Sequence, residues 1–84
     1  MYEVYLSRSA VKELERLPDN ILSRVVRKLE SLSLNPRPKG TVKIKGRYGL
    51  YRVRIGDYRI VYSVDDRKRI VDVSLIRHRK DIYK

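Results

Sequence analysis

Hydrophobic residues recur along this chain with two different periods, and the change falls at a proline-rich stretch. Between residues 8 and 33 the spacing is helical, with Ala10, Leu14 and Leu17 forming one stripe and Ile21, Leu22, Val25, Leu29 and Leu32 a second. Pro18 separates the two, Ser7 or Ser9 suits the first N-cap and Asp19 or Asn20 the second, so the pattern predicts a helical hairpin. Its charges at Lys12, Arg16, Arg24, Arg27 and Lys28 read as an ordinary solvated face. Before it, Tyr2–Leu6 is a short strand. After it, residues 35–40 (NPRPKG) cannot continue a helix and form the one linker of the chain.

Beyond the linker the period is 2. Val42–Lys45 alternates, residues 46–49 turn the chain, and strands follow at Leu50–Ile55, Tyr58–Val64 and Arg69–Ile76. Gly56-Asp57 between alternating runs is a two-residue hairpin signal. Taking it as the loop sets Ile55 opposite Tyr58, Arg54 opposite Arg59, Val53 opposite Ile60 and Arg52 opposite Val61. A four-residue turn at 46–49 would pair Ile44 with Tyr51 and Lys43 with Arg52. On the last strand, Val71, Val73 and Leu75 are assigned to the apolar face. The expectation is a single α+β domain over residues 1–84: an N-terminal strand, a helical hairpin, then a three-stranded antiparallel meander, forming one sheet packed on the two helices. The neighbour of the first strand is left open.

This register opposes arginine to arginine. Like charges facing each other on a sheet cost about 0.2–1 kcal/mol, and a local conflict of that kind marks a functional site more often than an accident. The open face collects Lys43, Lys45, Arg52, Arg54 and Arg59, with one carboxylate, Asp72, among them.

Charge strengthens that picture. The net charge is +11 over 84 residues; residues 37–84 hold fifteen Lys/Arg against five Asp/Glu, while residues 1–36 are nearly balanced. Such asymmetry points to a polyanion, and RNA or DNA is the polyanion whose binding is driven by phosphate neutralisation. With no cysteine, disulfides and thiolate metal sites are excluded. No run is long enough for a membrane span or shaped like a signal peptide, which makes a cytoplasmic protein the default. Clustered carboxylates for a divalent metal are lacking, and His78 is the only histidine. No cofactor is called for. Fixed cations suit a phosphodiester whose own 2′-hydroxyl is the nucleophile, since the protein then needs only to align it and stabilise the phosphorane. Composition and register alone favour phosphate binding over catalysis.

The segments Tyr51-Arg52-Val53-Arg54-Ile55-Gly56-Asp57-Tyr58-Arg59-Ile60-Val61-Tyr62 and Ile76-Arg77-His78-Arg79-Lys80-Asp81-Ile82-Tyr83 resemble the RelE/ParE superfamily of bacterial and archaeal toxins, closest to its RelE branch. The resemblance implies a type II toxin that cleaves mRNA in the ribosomal A site without a metal, and a cognate RelB-like antitoxin that covers the basic surface. It further implies that Arg52 and Arg59 stabilise the scissile phosphate, that Arg54 stands at the general-base position, Arg77 at that of the acid toward the leaving oxygen, and Tyr83 at that of a base-stacking tyrosine. Lys43, Lys45, Arg47, Arg79 and Lys80 are expected to bind RNA. The best-known RelE toxins carry lysines where this chain has Arg52 and Arg54. Arginine does not give up its proton, so a base role for Arg54 fails while electrostatic stabilisation survives. His78 is a chemically suitable substitute base. Parity along the last strand would set Arg77 on the helix-covered face, a costly place for a charge, so the strand is expected to end by Ile76, where parity no longer binds; Arg79 or Lys80 is a substitute for Arg77. Two other readings remain: a ParE-like gyrase inhibitor, and an RNA- or ribosome-binding module without catalysis.

Overall fold

The computed structural model describes residues 1–46 and 49–82, so Arg47 and Tyr83, both expected at the site, lie outside the described residues. The elements are β1 (Glu3–Leu6), α1 (Arg8–Glu15), α2 (Asp19–Leu34), β2 (Val42–Lys43), β3 (Leu50–Ile55), β4 (Tyr58–Asp65), β5 (Ile70–His78) and α3 (Arg79–Ile82). They form one five-stranded sheet in the order β1-β5-β4-β3-β2. The expected meander is β3-β4-β5, β2 adds a two-residue edge, and β1 settles the open question by pairing parallel to β5, Val4 beside Val71 and Leu6 beside Val73.

Ser7 caps α1 by accepting the Ala10 N–H at 3.0 Å, as the sequence leads one to expect. For α2 the cap is Pro18, whose carbonyl accepts from Ile21 at 3.0 Å and Leu22 at 2.8 Å. Asp19 falls one position inside, where its charge favours the helix N-terminus. The core lies between the hairpin and one sheet face: Leu17, Val25, Leu29 and Leu32 meet Val53, Ile55, Ile60, Tyr62, Val71, Val73 and Ile76, all buried. Tyr62 is fully buried, and its hydroxyl is kept from being an orphan by donating to the Pro36 carbonyl at 2.8 Å. Burial pushes its pKa up.

That bond helps tie the linker to the sheet, and Arg37 completes the tie. Its guanidinium grips Asp66 through two nitrogens at 3.1 and 2.8 Å, donates to the Tyr51 hydroxyl at 3.1 Å and lies 5.1 Å from the centroid of the Tyr51 ring. Tyr2 donates to the same carboxylate at 2.6 Å. Those two donors hold Asp66 down at about 2 from the usual 3.8. Asp65 instead bonds the backbone N–H groups of Arg67 and Lys68, so only one of the adjacent aspartates serves the turn.

Candidate nucleic-acid interface

The β3–β4 register is the one the Gly-Asp turn demands. Gly56 has φ +56°, the left-handed value required at the first central position, and Arg54 faces Arg59, Val53 faces Ile60 and Arg52 faces Val61. The arginine conflict is therefore real, and a bulge on β5 extends it. Tyr62 pairs with Val73 but Val61 pairs with Leu75, leaving Ser74 as an extra residue that shifts the alternation by one. Past Ser74, Ile76 turns into the core opposite Ile60, and Arg77 stands opposite Arg59 on the open face. Two expectations are corrected. Leu75 is not a core-face residue, and β5 continues to His78 with Arg77 spared a buried position by the bulge, not by an early strand end.

The bulge is fastened on both sides. Ser74 donates its hydroxyl to the Val61 carbonyl at 3.2 Å, and Ser7 donates to the Ser74 carbonyl at 2.8 Å. The residue that caps α1 thus also holds the strand irregularity that aims Arg77.

Arg54, Arg59 and Arg77 consequently occupy one row of paired backbone positions across three adjacent strands, roughly 10 Å from end to end at the usual spacing of neighbouring strands. Arg59, at the centre, is half-buried, and its Nε is the one buried side-chain nitrogen or oxygen without a partner among the described residues. Unpartnered buried donors are uncommon and expensive. Arg54 donates Nε to the Gly56 carbonyl at 2.8 Å, its one side-chain hydrogen bond among the described residues. Arg52 sits one step along the same face, between Val61 and Val42. Ion pairs among the described residues are Arg37–Asp66 and Arg79–Asp57, so no carboxylate lies within 4.0 Å of Arg52, Arg54, Arg59 or Arg77 there. Among the described residues no three of His, Cys, Asp and Glu come together as a metal site would need.

The other expected cations are arranged differently. β2 pairs with β3 one residue out of the expected register, Val42 to Arg52 and Lys43 to Tyr51, with the Ile44 N–H on the Leu50 carbonyl at 3.0 Å. Residues 44–49 separate β2 from β3. Lys43 therefore leaves the cation face, Lys45 lies in the loop, and the second like-charge pair does not form. Arg79 starts α3: its N–H donates to the Asp57 carbonyl at 2.7 Å and its Nε approaches the Asp57 carboxylate at 3.9 Å, tying the hairpin tip to the C-terminal turn. Lys80 is exposed beside it. His78 pairs with Tyr58, on the side of the sheet away from Arg59 and Arg77, meets the Tyr58 ring edge-on at 5.1 Å, and accepts the Lys80 N–H through Nδ1. It is not placed to replace a base at Arg54.

Residues 4–83 match the family described as ParE toxin of type II toxin-antitoxin system, parDE. The chain is 35% identical to toxin RelE3 of Methanocaldococcus jannaschii over 88 residues, covering 96% of this chain and 94% of that one. It is 33% identical to toxin RelE of Mycobacterium tuberculosis, covering 99% and 87%. Its structure is similar to RelE in the archaeal RelE–RelB complex of Pyrococcus horikoshii, with a TM-score of 0.84, 30% identity and coverage of 93% and 94%. The isolated E. coli RelE toxin is similar at a TM-score of 0.81, with 26% identity and coverage of 93% and 84%.

Proposed function

Because this chain belongs to the RelE/ParE superfamily of type II toxins, we propose that it is a RelE-type endoribonuclease that cleaves mRNA in the ribosomal A site. The observation that carries the reading is the row Arg54–Arg59–Arg77, with the buried Nε of Arg59 lacking a partner among the described residues.

In this reading a phosphodiester of the message occupies the row. The 2′ oxygen of the preceding ribose bonds to phosphorus as the bond to the 5′ oxygen breaks, leaving a 2′,3′-cyclic phosphate and a 5′-hydroxyl; one proton passes, in net, from the first oxygen to the second. Charge accumulates on the phosphorane oxygens, where fixed guanidiniums act most strongly. Arg59 and Arg52 bind those oxygens, and Arg77 lies toward the leaving group. The cations supply the positive charge that a metal would otherwise bring. Arginine holds its proton, so Arg54 contributes charge and the proton transfers fall to groups outside the row. Tyr83 is assigned to base stacking and Arg47, Arg79 and Lys80 to RNA contacts outside the scissile phosphate, by the resemblance.

A RelB-like antitoxin is the proposed protein partner, supported by the likeness to RelE in its complex with RelB. Primer extension on translated mRNA should show cuts inside codons when this chain is present, and Arg59→Ala should reduce cutting by about 100- to 1000-fold, the usual cost of one transition-state donor. Intact message during growth arrest would refute the nuclease reading. The family description names ParE, so the second reading is inhibition of gyrase; loss of supercoiling by purified gyrase in the presence of this chain would favour it.

A further inference from the structure

Beside the arginine row, cations also gather in a groove between α2 and β3. Arg24, Arg27 and Lys28 stand at i, i+3 and i+4 and so share one helix face. With Arg54 they line an open groove of ≈ 420 Å³, completed by Ser31 and Ile55. Arg24 leans over the hairpin tip, its Nη1 3.5 Å from where a Cβ on Gly56 would sit. Like charges at this spacing work against the helix, and no carboxylate reaches any of the four within 4.0 Å among the described residues. What reads in sequence as a solvated face is, in the fold, four cations converging on one space.

We infer that this groove is a second phosphate site, holding the RNA backbone outside the scissile phosphodiester. The inference rests on the reading of the chain as an RNA-acting toxin. Arg54 belongs to both sites, at one end of the row and on the wall of the groove, so one strand laid along the row has a charged exit onto α2. Repeating phosphates match four cations distributed along such a path. A peptide ligand is disfavoured by the lining, in which Ile55 is the single apolar residue and is already buried, because peptide recognition relies on apolar anchors.

The test uses the double variant Arg27→Ala/Lys28→Ala, with Arg27→Lys/Lys28→Arg as the charge-preserving control. Both positions lie on the helix surface, and alanine is the best helix former, so folding is retained. Affinity is measured against salt for a single-stranded RNA trinucleotide, a 12-nucleotide RNA, purified ribosomes and polyglutamate. The alanine variant should bind the trinucleotide as the parent does, yet lose about 10-fold or more for the longer RNA, with the log–log salt slope falling by roughly 0.7 for each phosphate no longer neutralised. The control should restore both. Loss confined to ribosomes would identify ribosomal RNA as the source of the phosphates; loss on the free 12-mer identifies single-stranded message. Unchanged affinity and slope on the 12-nucleotide RNA and on ribosomes alike overturns the inference, as does a loss on polyglutamate alone. Binding is scored independently of cutting: a parent protein that binds RNA but never cuts it defeats the nuclease reading and leaves the groove standing, while an unaffected variant that still cuts does the reverse.

Discussion

The bulge at Ser74 can be tested by comparing Ile76→Ala with Leu75→Ala. These neighbours are both large and aliphatic, and regular alternation would bury Leu75 and expose Ile76. The bulge reverses them: Ile76 is 1% exposed, while Leu75 is only partly buried on the open face beside Val61. Truncating Ile76 removes packing between Ile60 and the helices and leaves a cavity, a change that costs about 2–5 kcal/mol. Truncating Leu75 removes partly solvated surface, worth on the order of 1 kcal/mol. A domain of this length has about 4–13 kcal/mol in total, so the difference is easily read. Urea titration gives it as a shift in midpoint at unchanged slope. By heating, at roughly 4–8 °C per kcal/mol, Ile76→Ala should lose two to five times as much as Leu75→Ala, from about 8 °C upward against about 4–8 °C. Equal costs, or a larger cost at Leu75, would mean regular alternation through Ser74, and Arg77 would then belong to the helix-covered face and not to the row.

Two further outcomes follow from the same geometry. Arg54→Lys restores a titratable group beside Arg59, so its cleavage rate should gain a rising limb with pH that the parent lacks, read from single-turnover cutting between pH 6 and 10; identical profiles would mean that position 54 handles no proton in either form. Asp66 has a folded-state pKa depressed to about 2 by Arg37 and Tyr2, so its stabilisation is complete above the unfolded value near 3.8 and is lost as pH falls through about 2; the gap in thermal midpoint between the parent and Asp66→Asn should therefore be present at pH 6 and close by pH 2.

How much of this was visible in the chain depends on how local the cause was. The β3–β4 register followed from Gly56-Asp57 alone, since a two-residue loop leaves no freedom in pairing. Between β2 and β3 the glycines did not fix the register, and a shift of one residue moved Lys43 to the other face. The bulge was hidden because adjacent apolar residues, Leu75 and Ile76, satisfy either phase of the alternation. Its signal was the conflict itself: a charge forced into the core by simple parity at Arg77 is what an inserted residue relieves. The groove was less accessible still. Three cations on one turn of α2 are commonplace, and only the docking of the hairpin tip on that helix brings Arg54 to them.

The arginine row also sets stability against function. Each of its two cross-strand pairs opposes like charges, at about 0.2–1 kcal/mol apiece, and Arg59 adds a buried donor without a described partner. The core and the Ser7–Ser74 fastening must offset that cost in the free protein, while a phosphate bound as proposed would supply charge and acceptor. It follows that Arg59→Ala, the substitution expected to slow cutting most directly, should hold or raise the thermal midpoint, because it relieves both arginine pairs at a position off the helix-covered face. It should also cancel most of the stabilisation that RNA gives the parent, since ligand stabilisation scales with occupancy of the folded state. A variant that lost activity together with several degrees of midpoint would instead make Arg59 a structural residue, and the row a consequence of packing with no phosphate to hold.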